Sequence, residues 1–353
     1  MVDIALIVAA VILVAVTVLG KVPVHDWWVR ACEFPRVQIA ALALIVALLS
    51  PLADEAMRWW ILLATVGVLV IQLARILPWT RLWPLQVQGA RPGHEDRCFS
   101  LLVANVLTSN RNSEGLIRQV RDRQPDLLLT LESDQWWGDR LDEAFGDWPC
   151  IIRIPLDNLY GMHLYSRLPL EGAEVRYLIQ DDIPSIHGWL RLKSGHRVRF
   201  HALHPRPPAP SESEESLWRD AELLLVGKDI RAQAEPAVVA GDLNDVAWSR
   251  TTRLFCKVSG MLDPRRGRGM FSTFHAGHWF MRWPLDHVFT TEEFTLSKME
   301  RLAAFGSDHF PILATLCYRP ARADEHEPPE ADGDDHAEAR ETIREGQVRD
   351  QES

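Results

Sequence analysis

A single α/β domain carried behind a hydrophobic anchor is the fold class this sequence predicts, and three observations predict it. Three long apolar stretches are packed into the first eighty residues. Between Cys98 and about Tyr318, apolar runs of strand length alternate with segments of helical spacing. From Arg319 onward large apolar residues nearly vanish and charge takes their place. With 353 residues, nearly half of them hydrophobic, the chain exceeds one small domain and can bury a sizeable core.

The anchor comes first in the chain. "VDIALIVAAVILVAVTVLG" (2–20) is nearly unbroken apolar sequence, long enough to cross a bilayer, which takes roughly 20 helical residues. "VQIAALALIVALLSPLA" (37–53) is a shorter second candidate, for which a buried core helix is the alternative. "WWILLATVGVLVIQLARIL" (59–77) is the third, with Trp59 and Trp60 at one end and Trp79 and Trp83 just past the other, as interfacial aromatics often are. A cleavable signal peptide fits the first stretch poorly. No basic region precedes it, and "TVLGKVP" lacks a small-x-small site. Residues 1–83 are therefore expected to hold about three transmembrane helices in the inner or cell membrane of a bacterium, with the lipid bilayer as their partner. The first loop carries Lys21, Arg30 and Arg36, whereas the second carries Arg58 beside Asp54 and Glu55. Arg75, Arg81, Arg91 and Arg97 follow the third span. The positive-inside rule then puts the first loop and everything after residue 80 in the cytoplasm.

Residues 84–97, rich in Gly, Pro and charge, read as a linker. Residues 98–318 follow as the α/β domain. "CFSLLVANV" and "DLLLTLES" are strand-length apolar runs, and "SEGLIRQVRDRQ" between them has helical spacing, with Ser113 a plausible N-cap. "GMHLYSRLPL", "GWLRLKS" and "HRVRFHALH" alternate like half-buried strands. "SLWRDAELLLVGKDIRAQ" is the clearest helix, "PAVVAGDLN" a buried strand, and "PLDHVFTT" and "HFPILATL" are late strands. The segment 319–353 holds five Arg against twelve Asp and Glu, hence −7 of the chain's net −10, and reads as a disordered acidic tail. The rest is not basic, which argues against a broad nucleic-acid footprint. Five widely spaced cysteines with no CxxC pair make a disulfide framework or a zinc site unexpected, and buried free thiols are the reading.

Polar residues cluster where the apolar strands end: Asn105 after "LLVA", Glu132 after "LLLTL", His204 after "RFHAL", Asp242 and Asn244 in "VVAGDLN", Asp286 after "WPL", and Asp308 and His309 in "FGSDHFPI". A carboxylate at the end of a buried run is costly unless a cation, metal or donor compensates it. Each has an ordinary explanation taken alone. Asn105 or Asp242 could serve a turn, and Asn244 or Asp245 could cap a helix at "DVAWSRTTRLF".

In order along the chain, however, Asn105, Glu132, His204, "GDLN" (241–244), "LDH" (285–287) and "GSDHFPI" together resemble the endonuclease/exonuclease/phosphatase superfamily, whose members include DNase I-like nucleases, inositol-polyphosphate 5-phosphatases and sphingomyelinases. The resemblance spans about residues 98–318. It implies a four-layer α/β/β/α sandwich, two facing mixed sheets with helices outside, and divalent-metal-dependent phosphoester hydrolysis. By this resemblance Glu132 is the main ligand of Mg²⁺ or Mn²⁺, with Asn105 beside it and Asp308 contributing directly or through water. Asp242 orients or deprotonates the nucleophilic water, and Asn244 holds that water or a phosphate oxygen. His309 donates to the phosphate, with Asp286 fixing its tautomer, and His204 is a second phosphate-facing histidine, His201 being the alternative. A hard cation with carboxylate and carbonyl oxygen ligands suits in-line attack at phosphorus.

The chain also departs from the nucleases of this superfamily that act at abasic sites. No acidic residue follows Asn105 closely in "NVLTSN", and "HALHPRPP" stands in place of their tyrosine stretch. The substrate is thus a phosphoester of lipid, nucleotide or nucleic acid, and no protein partner can be inferred. Two other readings remain. A serine hydrolase using Ser307 requires a nucleophile elbow that the sequence lacks. A non-catalytic membrane-tethered scaffold with the same fold predicts missing ligand carboxylates, and Glu132, Asp242 and Asp308 are present.

Overall fold

The apolar N-terminal stretches form a bundle in the computed structural model, which describes residues 1–209 and 212–352. α1 (Val2–Leu19) is followed by the short α2 (Trp27–Ala31), α3 (Arg36–Leu49) and α4 (Glu55–Ile76). Leu6, Leu13, Ile39, Ala43, Ile61 and Val68 close its interior. The outward face is equally apolar, with Val8, Ile12, Leu44, Leu48, Leu63 and Val70 exposed. α1 and α4 are long and apolar enough to cross a membrane. The expected third span is not. α3 has 14 residues, about 21 Å at helical rise, because Pro35 starts it and the 3₁₀ turn Ser50–Leu52, containing Pro51, ends it.

The soluble part runs β1 (Cys98–Asn105), α5 (Ser113–Arg123), β2 (Leu127–Leu131), α6 (Gln135–Phe145), β3 (Cys150–Ile154), β4 (Met162–Ser166), β5 (Leu170–Tyr177), β6 (Pro184–Arg191), β7 (Arg197–Ala202), α7 (Leu217–Gln233), β8 (Ala237–Asp242), α8 (Arg250–Ser259), β9 (Asp286–Thr290), β10 (Phe294–Arg301), β11 (Ile312–Tyr318) and α9 (Gly333–Glu352). Two mixed sheets result, ordered β10-β11-β1-β2-β4-β3 and β5-β6-β7-β8-β9. Side-chain alternation explains the layers. Leu101 and Val103 of β1 and Val238 and Ala240 of β8 point inward into one core between the sheets. Leu102 and Ala104 point outward beneath α5 and α6, while Ala237 and Val239 point outward beneath α7 and α8. This is the four-layer sandwich that the resemblance implies.

Local capping differs in detail from expectation. Asn112, one residue before Ser113, caps α5 by accepting from the Gly115 amide at 3.1 Å. Ser249 caps α8 by accepting from Thr252, so neither Asn244 nor Asp245 serves there.

Within the linker 84–97, Val87 is fully buried and Gln88 and Ala90 exchange backbone hydrogen bonds with Leu296 of β10, while residues 91–96 are exposed. Two further expectations are corrected. Cys98 and Cys317, opposite each other in the β1–β11 register, form a disulfide, which sequence spacing of 219 residues concealed. The acidic tail contains α9. Its start is a reciprocal capping box, Asp335 N–H to Asp332 Oδ1 at 2.8 Å and Asp332 N–H to Asp335 Oδ2 at 3.1 Å. Ala339, Ile343 and Gly346, spaced four and three apart, lie buried on one face, and the first two pack with Leu224 of α7 and Val258 of α8. Lys257 and Arg250 of α8 pair with Asp335 and Glu338. So narrow a stripe leaves the helix polar overall.

Candidate active site

The same alternation that fills the core aims polar groups at one rim. Asn105 continues the inward set of Leu101 and Val103, and Asp242 that of Val238 and Ala240, so both meet above the core. Asn105 Nδ2 donates to Asp242 Oδ2 at 3.1 Å. Asp286 lies opposite Asp242 in the β8–β9 register and points inward as Val288 does. His287 takes the other face, against Arg265 and the Asp245 carbonyl.

Glu132 should by parity point outward with Leu128. A left-handed backbone at φ 56° breaks the alternation and brings its Oε1 to Asn105 Nδ2 at 2.7 Å. Such a conformation at a non-glycine residue costs about 1–3 kcal/mol and persists only where surroundings impose it. At Gly241, with φ 146°, any Cβ would lie 1.9 Å from the Leu203 carbonyl oxygen, so "GDLN" needs its glycine for close strand approach. Asp242 Oδ1 then accepts the Asn244 amide at 2.9 Å, and Asn244 Nδ2 donates to the Pro205 carbonyl.

His309 completes a continuous chain. Its Nδ1 lies 2.8 Å from Asp286 Oδ2 and its Nε2 3.4 Å from Asp242 Oδ2. Ser307 Oγ donates to the Asn105 carbonyl and accepts the His309 amide, which makes it the brace of this turn and turns its hydroxyl away from any nucleophilic role. Glu132, His204, Asn244, Asp308 and His309 line a cavity of ≈330 Å³, with Tyr160, Phe274, Phe34 and Pro208 forming other walls. Asn105, Asp242 and Asp286 are buried beneath them. His201 pairs with His187 Nδ1 at 2.7 Å, which leaves His204 as the cavity histidine.

Electrostatics follow from burial and company. Burial lifts the Glu132 carboxyl to about 7, with Asp242 and Asp308 adding to the lift and Asn105 and His309 opposing it. His309 is pushed down by burial but pulled further up by Asp286 and Asp242, to about 10, so it is a cation at neutral pH. Burial pushes His204 down to about 4, which leaves it neutral. His204 Nδ1 and Asp286 Oδ1 have no hydrogen-bond partner among the described residues.

This arrangement fits a hard divalent cation. A buried carboxylate crowded by two others, as Glu132 is, is what such a cation compensates. Asp242, Asp286 and His309 also bring possible ligand atoms within 4.8 Å of one another. These three are already paired with one another, whereas Glu132 and Asp308 face the open cavity, so a cation could sit on the Glu132–Asp308 side. Asn105 departs from expectation here. Its Oδ1 accepts the Leu107 amide, so it turns its amino group to Glu132 and Asp242 and bridges two carboxylates.

Several residues here were not expected from sequence. Arg219 of α7, only 1% exposed, donates to the Asn244 carbonyl at 2.7 Å and pairs with Asp220 and Asp245. Arg265 donates to the Asp286 carbonyl at 3.1 Å. From the first loop, Glu33 accepts the Arg250 amide, its carbonyl accepts Trp248 Nε1, and Arg30 pairs with Asp220. The signal available was a charged "RD" inside the otherwise apolar face of α7; nothing marked the others.

Comparison with curated protein sequences finds no match. Among solved structures, zebrafish (D. rerio) TDP2 complexed with a single-strand DNA product superposes with TM-score 0.52 at 15% identity, covering 62% of this chain and 98% of that one. The human Nocturnin catalytic domain with bound sulfate gives 0.51 at 15% identity, covering 63% and 95%. An endonuclease/exonuclease/phosphatase from Bacteroides vulgatus gives 0.51 at 17%, covering 63% and 99%. At these identities the likeness is one of fold. Residues 102–309 match the Endonuclease/Exonuclease/phosphatase family over more than half of the chain, and the protein belongs to that family.

Proposed function

We propose that this protein is a membrane-anchored phosphoester hydrolase that works with Mg²⁺ or Mn²⁺ and attacks phosphorus with a water molecule. The observation that carries the reading is the unbroken run Glu132–Asn105–Asp242–His309–Asp286, contributed by both sheets and opening on one cavity. Glu132 and Asp308 hold the cation, and Asn105 fixes the Glu132 carboxylate. When bound, the cation offsets charge on the phosphoryl oxygens and the leaving group. Asp242, its other oxygen held by the Asn244 amide, orients the attacking water and takes its proton. Cationic His309, steadied by Asp286, donates to a phosphoryl oxygen as negative charge grows there. His204 contributes a neutral ring at the cavity wall.

The bundle of α1, α3 and α4 supports anchoring, since its outward face is apolar along its length. The Cys98–Cys317 bond supports an oxidising compartment for the catalytic domain, opposite to the side that the Lys and Arg count favours. Two of the three basic residues of the first loop, Arg30 and Arg36, are taken up in ion pairs with Asp220 and Glu33. We give the bond the greater weight.

The test is Glu132→Gln in the full chain, assayed on bis-(p-nitrophenyl) phosphate and p-nitrophenyl phosphate with Mg²⁺, Mn²⁺ or EDTA. The expected result is metal-dependent hydrolysis that falls at least about a hundredfold in the variant. A rate unchanged by the substitution, or by EDTA, overturns the assignment.

A further inference from the structure

A second cavity of ≈520 Å³ lies beside the first and is lined by Trp27, Ala31, Phe34, Phe280, Met281 and Trp283. It is built jointly. α2 and the start of α3 supply one wall, and the loop before β9 supplies the other. Arg30 turns to Asp220, and Gln38 donates to the Phe280 carbonyl at 2.6 Å while its Oε1 has no partner among the described residues. The rest of the lining is apolar.

Two of its residues, Phe34 and Pro208, also line the active-site cavity, so the groove and the site share a wall. Aromatic contacts run from one to the other: Phe34 meets Trp283 edge-on at 5.7 Å, Trp283 stacks on Phe274 at 6.2 Å, and Phe274 lies 5.0 Å from the His309 ring. At the outer end the groove borders Pro35 and Gln38, where apolar α3 begins. Exposed Trp28, Trp279 (82% exposed) and Phe280 stand around it. An apolar groove thus runs from the foot of the anchor to the aromatic wall of the phosphoryl site.

We propose that this groove seats the hydrocarbon chain of a membrane phospholipid whose phosphoester is the substrate, an inference that rests on the phosphoesterase reading and narrows it. A nucleobase could only stack on these rings, whereas an alkyl chain also fills the space beside Ala31 and Met281, and the oligonucleotide arm of the assay tells the two apart. A lipid drawn from the bilayer along α3 leaves its chain against Phe34 and Trp283 and brings its phosphate to His309.

Full-length protein in detergent, with Mg²⁺, is assayed on methyl, octyl and dodecyl esters of p-nitrophenyl phosphate, which share one leaving group. Burying each methylene is worth about fourfold in affinity. Even partial seating is expected to raise kcat/KM at least about tenfold from methyl to dodecyl, chiefly through KM. Ala31→Trp, which fills the groove, and Met281→Glu, which charges it, are each expected to bring the dodecyl-to-methyl ratio close to one. Two variants on opposite walls guard against one that fails to fold. Equal kcat/KM across the esters overturns the groove and leaves the phosphoesterase reading standing, as does a ratio that neither substitution changes. A preference for a DNA oligonucleotide over every ester also overturns it. Hydrolysis of none of these compounds overturns both.

Discussion

His309 stands between two aspartates, and its position sets what each can do. Asp286 pairs with Nδ1 and Asp242 lies near Nε2, so the ring stays cationic until pH rises to about 10. Asp286→Asn and His309→Ala should each lower kcat, and the double variant should be little slower than His309→Ala alone, because Asp286 acts through the ring. Additive losses in kcat would remove that pairing. Asp286→Asn should also move the alkaline limb of the pH profile to lower pH, since the protonated ring is the donor. Much of this was legible in the sequence, since apolar runs that end in Asn, Asp or Glu mark strand ends, and period-2 alternation tells which ends share a face. Glu132 was legible as a residue and illegible in direction, because its positive φ overrides that alternation. Arg219 and Arg265 stayed hidden, since their partners lie across the fold.

At the scale of elements, α7 is buried on two sides, by its sheet and by α9. Glu222 of α7 has Oε1 buried without a partner among the described residues, and burial pushes its carboxyl up to about 8 from an ordinary 4.5. The folded protein then holds a proton that the unfolded chain releases above about 4.5. Its contribution to stability is present at acid pH and is lost as pH rises towards 8, by a few kcal/mol in order of magnitude. The melting temperature in detergent should fall between pH 5.5 and 8.5, and Glu222→Gln should flatten that fall; parallel curves would show that the carboxyl titrates normally. α9, which covers α7, was missed because its composition is that of a solvated tail. Three small or apolar residues on one face and a capping box suffice when a partner helix is already there. The shortness of α3, by contrast, was written in Pro35 and Pro51.

For the whole molecule, under the proposed anchoring, the disulfide and the charge count favour opposite sides of the membrane for the catalytic domain. With the bond decisive, alkylation of denatured protein from intact cells should add two further maleimides only after reduction. A phosphatase reporter fused after residue 353 should be active outside the cytoplasm. Free thiols in unreduced samples and an inactive reporter would return the domain to the cytoplasm.

Arg30 and Glu33, which sequence composition assigns to the anchor, hold Asp220, Trp248 and the Arg250 amide on the catalytic side. Through Asp220 and Arg219 that grip reaches the Asn244 carbonyl at the rim of the cavity. The two halves are thus not interchangeable modules. A graft onto another anchor would strip Asp220 of Arg30 and His25 and leave it Arg219 alone, which Asp245 also claims, so the first loop and the hydrolase domain have to be inherited, and engineered, as one piece.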